Sequence, residues 1–371
     1  MSIGLSRTSC LSRFRTAASR TRVLAIVALG ILLVTCSAYG QSVPGFQALY
    51  KPKVKDEPIA TKAGRGEAPL AKLYSHLKVD SAKVKRLGQL ARTEKQTKRR
   101  EKFLRIGIVR PLQTALDPFS DSARYSVKEG DVRVAGVVSD GAVAIRVHFK
   151  GMSLPPGARV FVYSMSNPDK FYGPYEDHGA SDDGTFWTPP MQGDGVVIEY
   201  FTPAGTKSAD APFKVSEVAH IFRDVFTAND LAGACNLEVT PEWTNVAKSV
   251  AMLEFVTGPY VAVCTGTLLN DSNPNLDHYV LTANHCISTQ SEAQSAFAYW
   301  NYNTGETPPG GTASYAFDLV VTGGPSDFTL LHRGAVPSGL FYSGWDASPF
   351  SAATPVTGDR KSTRLNSSHR L

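Results

Sequence analysis

Two short segments of this chain carry side chains able to move a proton. Leu281-Thr282-Ala283-Asn284-His285-Cys286 puts an imidazole just after a short strand-like run, and Ser326-Asp327-Phe328-Thr329-Leu330-Leu331 puts a carboxylate at the head of another, 42 residues on. A serine hydroxyl is a poor nucleophile at neutral pH, so a base with a pKa near 7 must accept its proton, and histidine lies closest to that value. An imidazole free to rotate offers the wrong nitrogen much of the time. A carboxylate that holds one ring N–H fixes the tautomer and stabilises the imidazolium that forms. His285 and Asp327 fit those two parts, with Phe328, Leu330 and Leu331 keeping water from the aspartate. Taken singly, each reads as a surface residue in a turn; the pair points to chemistry.

The elements that would hold this pair begin with an exported chain. Residues 1–40 contain Arg7, Arg13, Arg15, Arg20 and Arg22, no acid, an apolar run from Val23 to Val34, and Ala38-Tyr39-Gly40 before Gln41. That is the pattern of a cleaved signal peptide, and its apolar run is too short for the roughly 20 residues of a membrane span. The expected location is extracellular or periplasmic. In such a compartment Cys264 and Cys286, 22 apart, invite a disulfide that closes the loop beneath the histidine. A metal site built from Cys264, His285 and Cys286 lacks further clustered ligands, and a redox pair lacks the Cys-x-x-Cys spacing. We expect no cofactor and no metal.

Composition supports export: 42% of the 371 residues are hydrophobic and 19% charged, with 31 Gly and 23 Pro. The net charge of +6 averages two unlike halves. Residues 1–110 hold 23 Lys and Arg against 6 Asp and Glu, a net of +17, whereas 111–358 hold 12 against 26, a net of −14. A nucleic-acid partner would need those basic groups on a folded surface with base-contacting side chains. Here they lie in a removable segment, so neither nucleic acid nor, after leader removal, a membrane is expected as partner.

Residues 41–115 read as a basic pro-segment with a plausible helix through Ala82 to Phe103, where Val84, Leu87, Leu90 and Ala91 form a thin apolar stripe. Its charge complements the acidic remainder, which predicts salt-dependent docking within the molecule. Lys98-Arg99-Arg100 would be an exposed cleavage point. Residues 116–216 read as a β-sandwich. Val143, Ile145, Val147 and Phe149 alternate with Ala144, Arg146 and His148, predicting one buried and one wetter face, and Asp140-Gly141, Asp183-Gly184 and Gly193-Asp194-Gly195 mark turns. Trp187 and Tyr163 read as core aromatics sooner than as a stacking platform, and Asp177, Asp182 and Asp183 lack the spacing of a calcium loop. Residues 217–358 hold short strands at Val250 to Phe255, Val261 to Leu269, Tyr279 to Thr282, Ala296 to Tyr302 and Asp327 to Leu331, with no helical period between them. An antiparallel barrel follows. The expected fold is all-β: a β-sandwich, then the first β-barrel of a two-barrel unit.

Four segments in order, Cys264-Thr265-Gly266-Thr267-Leu268-Leu269, Leu281 to Cys286, Tyr299-Trp300-Asn301-Tyr302 and Ser326 to Leu331, resemble the lysyl endopeptidase branch of the trypsin-like, chymotrypsin-fold serine endopeptidases. The resemblance covers about 233–358, and Phe186-Trp187-Thr188-Pro189-Pro190 with Gly193-Asp194 is similar to the β-rich region upstream in such precursors. It implies a secreted endopeptidase acting on peptide or protein substrates, with His285 as base, Asp327 as orienter and a preference for a basic residue, lysine above all, at the cleaved bond. It also implies that Cys235 bonds a cysteine far downstream. A further disulfide usual in the family is missing, Thr240 and Thr304 lying near its expected place.

No Gly-Asp-Ser-Gly-like segment follows Asp327, and residues 359–371 turn abruptly basic and Ser-rich. Asp359 through His369 resembles the translation of a sequencing-adapter oligonucleotide, so the expectation is a native sequence to about Gly358 and an inactive fragment without its serine. Resequencing across codon 358 checks this: an open frame reaching a Gly-Asp-Ser-Gly-like segment is expected, and a genuine stop there refutes it. The alternative function is a non-enzymatic secreted module in which the sandwich binds a ligand and the barrel is a dead scaffold. Lys214 and Arg223 are the candidate maturation sites ahead of Gly233.

Overall fold

A computed structural model describes residues 42–43, 46–47, 58, 86, 103–119, 123–206, 211–225, 239–271, 277–301, 313–349, 351 and 358. Cys235, the Lys98-Arg99-Arg100 point, Thr304 and residues 359–371 lie outside them, as does the helix expected over 82–103 apart from Arg86, which is helical, and Phe103, which is not. The described chain is built almost wholly of strands, as the all-β expectation has it.

After two short strands, Ser42–Val43 and Phe46–Gln47, the second paired with Phe341–Tyr342, comes β1 (Leu104–Leu116), followed by β2 (Ala123–Val127), β3 (Gly130–Val138), β4 (Ala144–Lys150), β5 (Arg159–Ser164), β6 (Phe171–Tyr175), β7 (Phe186–Trp187), β8 (Met191–Gln192), β9 (Gly195–Pro203) and β10 (Lys214–Ile221). Five of these form an antiparallel sheet in the order β2-β3-β9-β5-β6. Its inner residues Ala135, Val137, Val160, Val162, Val196 and Ile198 pack on Ile145, Val147, Phe149, Val215 and Val218 of the facing sheet, making the expected sandwich. Turn chemistry holds the edges: Gly141 and Gly184 take φ of 78° and 70°, conformations that a β-carbon disfavours.

The facing sheet does not stop at the sandwich. Its order runs β8-β4-β10-β1 and continues into β12 (Tyr260–Leu269), β11 (Val250–Thr257), β14 (Phe297–Tyr299) and β15 (Ala313–Tyr315), while β13 (His278–Thr282) joins β12 to β17 (Phe328–Arg333), which pairs β16 (Asp318–Gly323). Strand β1, which starts inside the segment read as basic pro-segment, is thus hydrogen-bonded to β10 on one side and to β12 on the other. The boundary expected at 216/217 falls within β10. A second core grows at the junction, where Ile106, Ala144, Ala219 and Ile221 meet Met252, Val261, Val263, Phe297 and Tyr299. The Ala144 and Arg146 end of the face expected to be wetter in β4 is therefore buried, while His148 stays partly exposed. Ala144 and Arg146 point into this junction, and Arg146 is fully enclosed.

Arg146 survives there because every nitrogen finds an acceptor. Its Nη1 pairs with Glu254 Oε1 at 3.3 Å, Nη2 donates to the Ser295 carbonyl at 2.5 Å and Nε to the Thr188 carbonyl at 2.8 Å, while the Tyr299 hydroxyl donates to Glu254 Oε2 at 3.1 Å.

His220 of β10 is another buried polar group, with Nδ1 2.7 Å from the Ser139 hydroxyl and no acceptor for Nε2 among the described residues. Burial, and next the Arg110 charge, push its pKa down to about 4. The folded state therefore binds fewer protons than the unfolded one between pH 6.5 and about 4, and stability falls as pH drops through that window. We expect His220→Gln to remove up to about 3 kcal/mol of this acid sensitivity, read from urea unfolding at pH 7 and pH 4.5; an unchanged pH slope would show that other groups carry it.

Candidate active site

The half-barrel that holds the site follows from its strands. Leu253, Phe255, Ala262, Cys264, Leu268, Val280 and Leu331 alternate inward along β11, β12, β13 and β17 and close on Trp300, whose indole N–H donates to Ser314 Oγ at 3.0 Å. Gly266 sits where β12 crosses this core: a β-carbon there would come within 2.7 Å of Leu253 and 2.9 Å of Val280. The sheet curls, and β13 runs out of the core between β12 and β17. At its end the chain turns tightly through Ala283 to Cys286, with the Cys286 N–H on the Ala283 carbonyl at 3.1 Å.

That turn presents His285, and the turn before β17 presents Asp327. The ring Nδ1 of His285 lies 2.7 Å from Asp327 Oδ2, and the His285 backbone N–H donates to Asp327 Oδ1 at 2.9 Å. Both carboxylate oxygens are engaged, one by the ring and one by the backbone that carries the ring. Side-chain exposures of 27% and 38% put the pair at the rim, shielded but reachable. Asp327 takes φ of 51°, the left-handed region that aspartate and asparagine tolerate better than other non-glycine residues. This aims the carboxylate back at the histidine instead of along the strand.

Residues that the sequence reading missed tie the two turns to each other and to β12. Thr329 Oγ1 donates to the Ile287 carbonyl at 2.6 Å, Asn284 Nδ2 donates to Thr322 Oγ1 at 2.8 Å, and Thr282 Oγ1 donates to the Thr265 carbonyl at 2.9 Å. These threonines alternate with the apolar residues of their strands, a signal too common to single out unaided. Past the turn, Thr289 and Glu292 form a capping box that starts helix α1 (Gln290–Ser295).

Cys264 of β12 and Cys286 are joined, with Cα atoms 6.2 Å apart and a sequence separation of 22. The ligand atoms of Cys264, His285 and Cys286 lie within 4.8 Å of one another, but bonded sulfurs carry no thiolate, so the cluster does not offer three metal ligands. Closing this loop restrains the unfolded chain by about 3 kcal/mol. Cys264→Ala with Cys286→Ala is expected to lose roughly that much in denaturant unfolding, and reductant to do the same to the unaltered chain; equal stability in all three samples would overturn it.

Other candidates find plainer roles. Trp187 and Tyr163 are buried, the former stacked on His148 at 4.3 Å between ring centres. Asp183 Oδ1 accepts from Ser181 Oγ and the Thr185 N–H, both at 2.9 Å, as a turn aspartate does. Lys214 lies at the start of β10, paired opposite Lys150, whereas Arg223 follows the strand, its N–H on the Ile106 carbonyl at 3.2 Å.

An antiparallel sheet curled into half a barrel, with an imidazole–carboxylate pair at its rim, is the architecture of the chymotrypsin-like class. Residues 78–222 match the family model of the lysyl endopeptidase N-terminal domain, and residues 229–359 match that of the lysyl endopeptidase C-terminal domain. A lysyl endopeptidase of Pseudomonas aeruginosa is 29% identical over 197 residues, which cover 45% of this chain and 41% of that protein. The matched stretch thus spans about two fifths of the relative's length. These likenesses support the lysyl endopeptidase family for this chain.

Proposed function

We propose that this chain is the precursor of an exported serine endopeptidase and that it supplies two members of a Ser-His-Asp triad. The observation behind this is the two-point hold of Asp327 on His285 at 2.7 and 2.9 Å. With Nδ1–H donating to Asp327, Nε2 is the nitrogen that takes the proton of a serine hydroxyl as its oxygen attacks a peptide carbonyl. The imidazolium then gives that proton to the leaving amine. Water, deprotonated by the same nitrogen, hydrolyses the acyl-enzyme, and the serine regains its proton. We assign the serine, the oxyanion donors and the specificity pocket to no residue of the 371, and on this reading the chain alone does not turn over. Lysine preference is carried to it by the name of its relative, export by residues 1–40, and pro-segment docking by the charge of residues 41–115.

A gene product that joins this chain to a serine-bearing region is expected to label covalently with a fluorophosphonate, and His285→Ala to abolish the labelling. Absence of label in a folded, mature sample, or label indifferent to His285→Ala, overturns the proposal and favours the non-enzymatic binding module.

A further inference from the structure

We infer that the outer face of the five-stranded sheet is the seat of the basic segment 44–102 beyond its first four residues, of which Phe46 and Gln47 pair instead with Tyr342 and Phe341. The inner face of that sheet makes the sandwich core. On the other face Val132, Val134, Phe161, Tyr163, Val197 and Phe201 form a second apolar cluster, and none is more than 3% exposed. The outside of a two-layer sandwich is ordinarily wet and polar. Every described member of this cluster, including the partly buried Tyr125, Val127, Met165 and Phe171, belongs to the same sheet or its hairpins. Side-by-side neighbours in one sheet cannot cover each other's tips, so a further layer must lie on this face.

Its chemistry restricts what that layer is. Glu199 projects to the same side of β9 as Val197 and Phe201, opposite Val134 on one neighbouring strand and Phe161 on the other, and it is fully buried. A carboxylate so placed needs a cation or several donors above it. Arg159, the other charged group facing this way, has its guanidinium 5.1 Å from the centre of the Phe201 ring.

Segment 44–102 has the length, position and composition for this layer. It ends where β1 begins, and it holds 16 Lys and Arg against 6 Asp and Glu. Five strands about 4.8 Å apart are spanned by a helix of roughly 16 residues, within the extent of the periodic stretch from Ala82 to Phe103. In a helical register Arg86 lies off the stripe of Val84, Leu87 and Ala91, and Arg86 is helical and exposed. Pro58, earlier in the segment, is buried. The face is mostly apolar, so burial drives this docking more than charge does, unlike the expectation drawn from charge alone. The inference deepens the docking part of the proposed function and does not depend on the proteolytic part.

Hydroxyl-radical footprinting of the full chain, before and after limited trypsin digestion has shed segment 44–102, tests it. Phe161, Tyr163 and Phe201 are expected to be protected before and oxidised several-fold faster after, while Phe149 and Tyr200 inside the sandwich stay protected. Oxidation of the face already in the intact chain overturns the inference, and unchanged protection everywhere after shedding removes docking altogether. Protection that persists here while another face opens keeps docking but removes this seat. If the inner residues open too, photo-methionine at position 165 in the intact chain decides. Cross-links into 44–102 support the seat; cross-links elsewhere, to a second copy, or none, overturn it.

Discussion

Asp327→Asn, placed in a gene product that joins this chain to a serine-bearing region, is expected on the proposed function to slow fluorophosphonate acylation about 10⁴-fold with little change in fold. The carboxylate uses one oxygen on the His285 backbone N–H and the other on ring Nδ1. An asparagine has a single acceptor oxygen. If that oxygen keeps the backbone N–H, the amide NH₂ faces Nδ1, which must then be the acceptor, and the ring proton moves to Nε2. The nitrogen facing the serine is then blocked. If the oxygen turns to the ring instead, the backbone N–H at 2.9 Å loses its acceptor and the turn that aims His285 loosens. Asparagine tolerates the φ of 51° at this position, which separates the loss of chemistry from backbone strain. The pH profile of acylation and the circular dichroism of the variant together check the result. A fall of less than tenfold would mean that the aspartate does not set the tautomer.

Arg146→Ala should cost about 3–5 kcal/mol of stability, the range for leaving one member of a buried ion pair without its partner. Glu254 would remain enclosed with the Tyr299 hydroxyl, and the Thr188 and Ser295 carbonyls would each lose a donor. In the native chain burial drives the Glu254 carboxyl above its ordinary pKa of 4.5 and the Arg146 guanidinium below its own, each opposed by the other's charge. Without Arg146 only the Tyr299 hydrogen bond still opposes the upward push. The variant's folded state then holds a proton that the unfolded chain gives up above about pH 4.5, so its deficit grows as pH rises from there. Replacing both, Arg146→Met with Glu254→Leu, is expected to restore most of the loss, since apolar groups of similar volume need no counter-charge. Urea unfolding of the three variants measures this. A deficit under 1 kcal/mol for Arg146→Ala would indicate that water reaches the pair.

The site was far more legible in the sequence than the framework around it. Histidine and cysteine are few, 8 and 5 in the sequence, and His285, Asp327 and the two bonded cysteines stand in or beside short apolar runs whose register is local. Strand β1 was hidden by its own composition. Arg105, Arg110 and Pro111 made Leu104 to Leu116 look like the end of a basic linker, and a proline argues against a central strand. The fold accommodates it at a register shift between Val215 and Glu217 of β10, where Pro111 lies opposite Glu217. Arg146 was hidden for a similar reason: alternation marks one face of a strand as polar but does not say whether that face meets water or another protein layer.

By itself the sequence determined the all-β class of structure and pointed to His285, Asp327 and the cysteines beneath them, because those depend on residue type and on periodicities of a few residues. Only the tertiary structure decided that β1 links the upstream sandwich and the half-barrel into one continuous sheet, that threonines 322 and 329 tie together the turns carrying His285 and Asp327, and that Arg146 and Glu254 pair across the junction. Those outcomes join residues 38 to 159 positions apart, from Thr322 with Asn284 to Val263 with Leu104, and which of many chemically acceptable partners meet is set by how the layers close on one another.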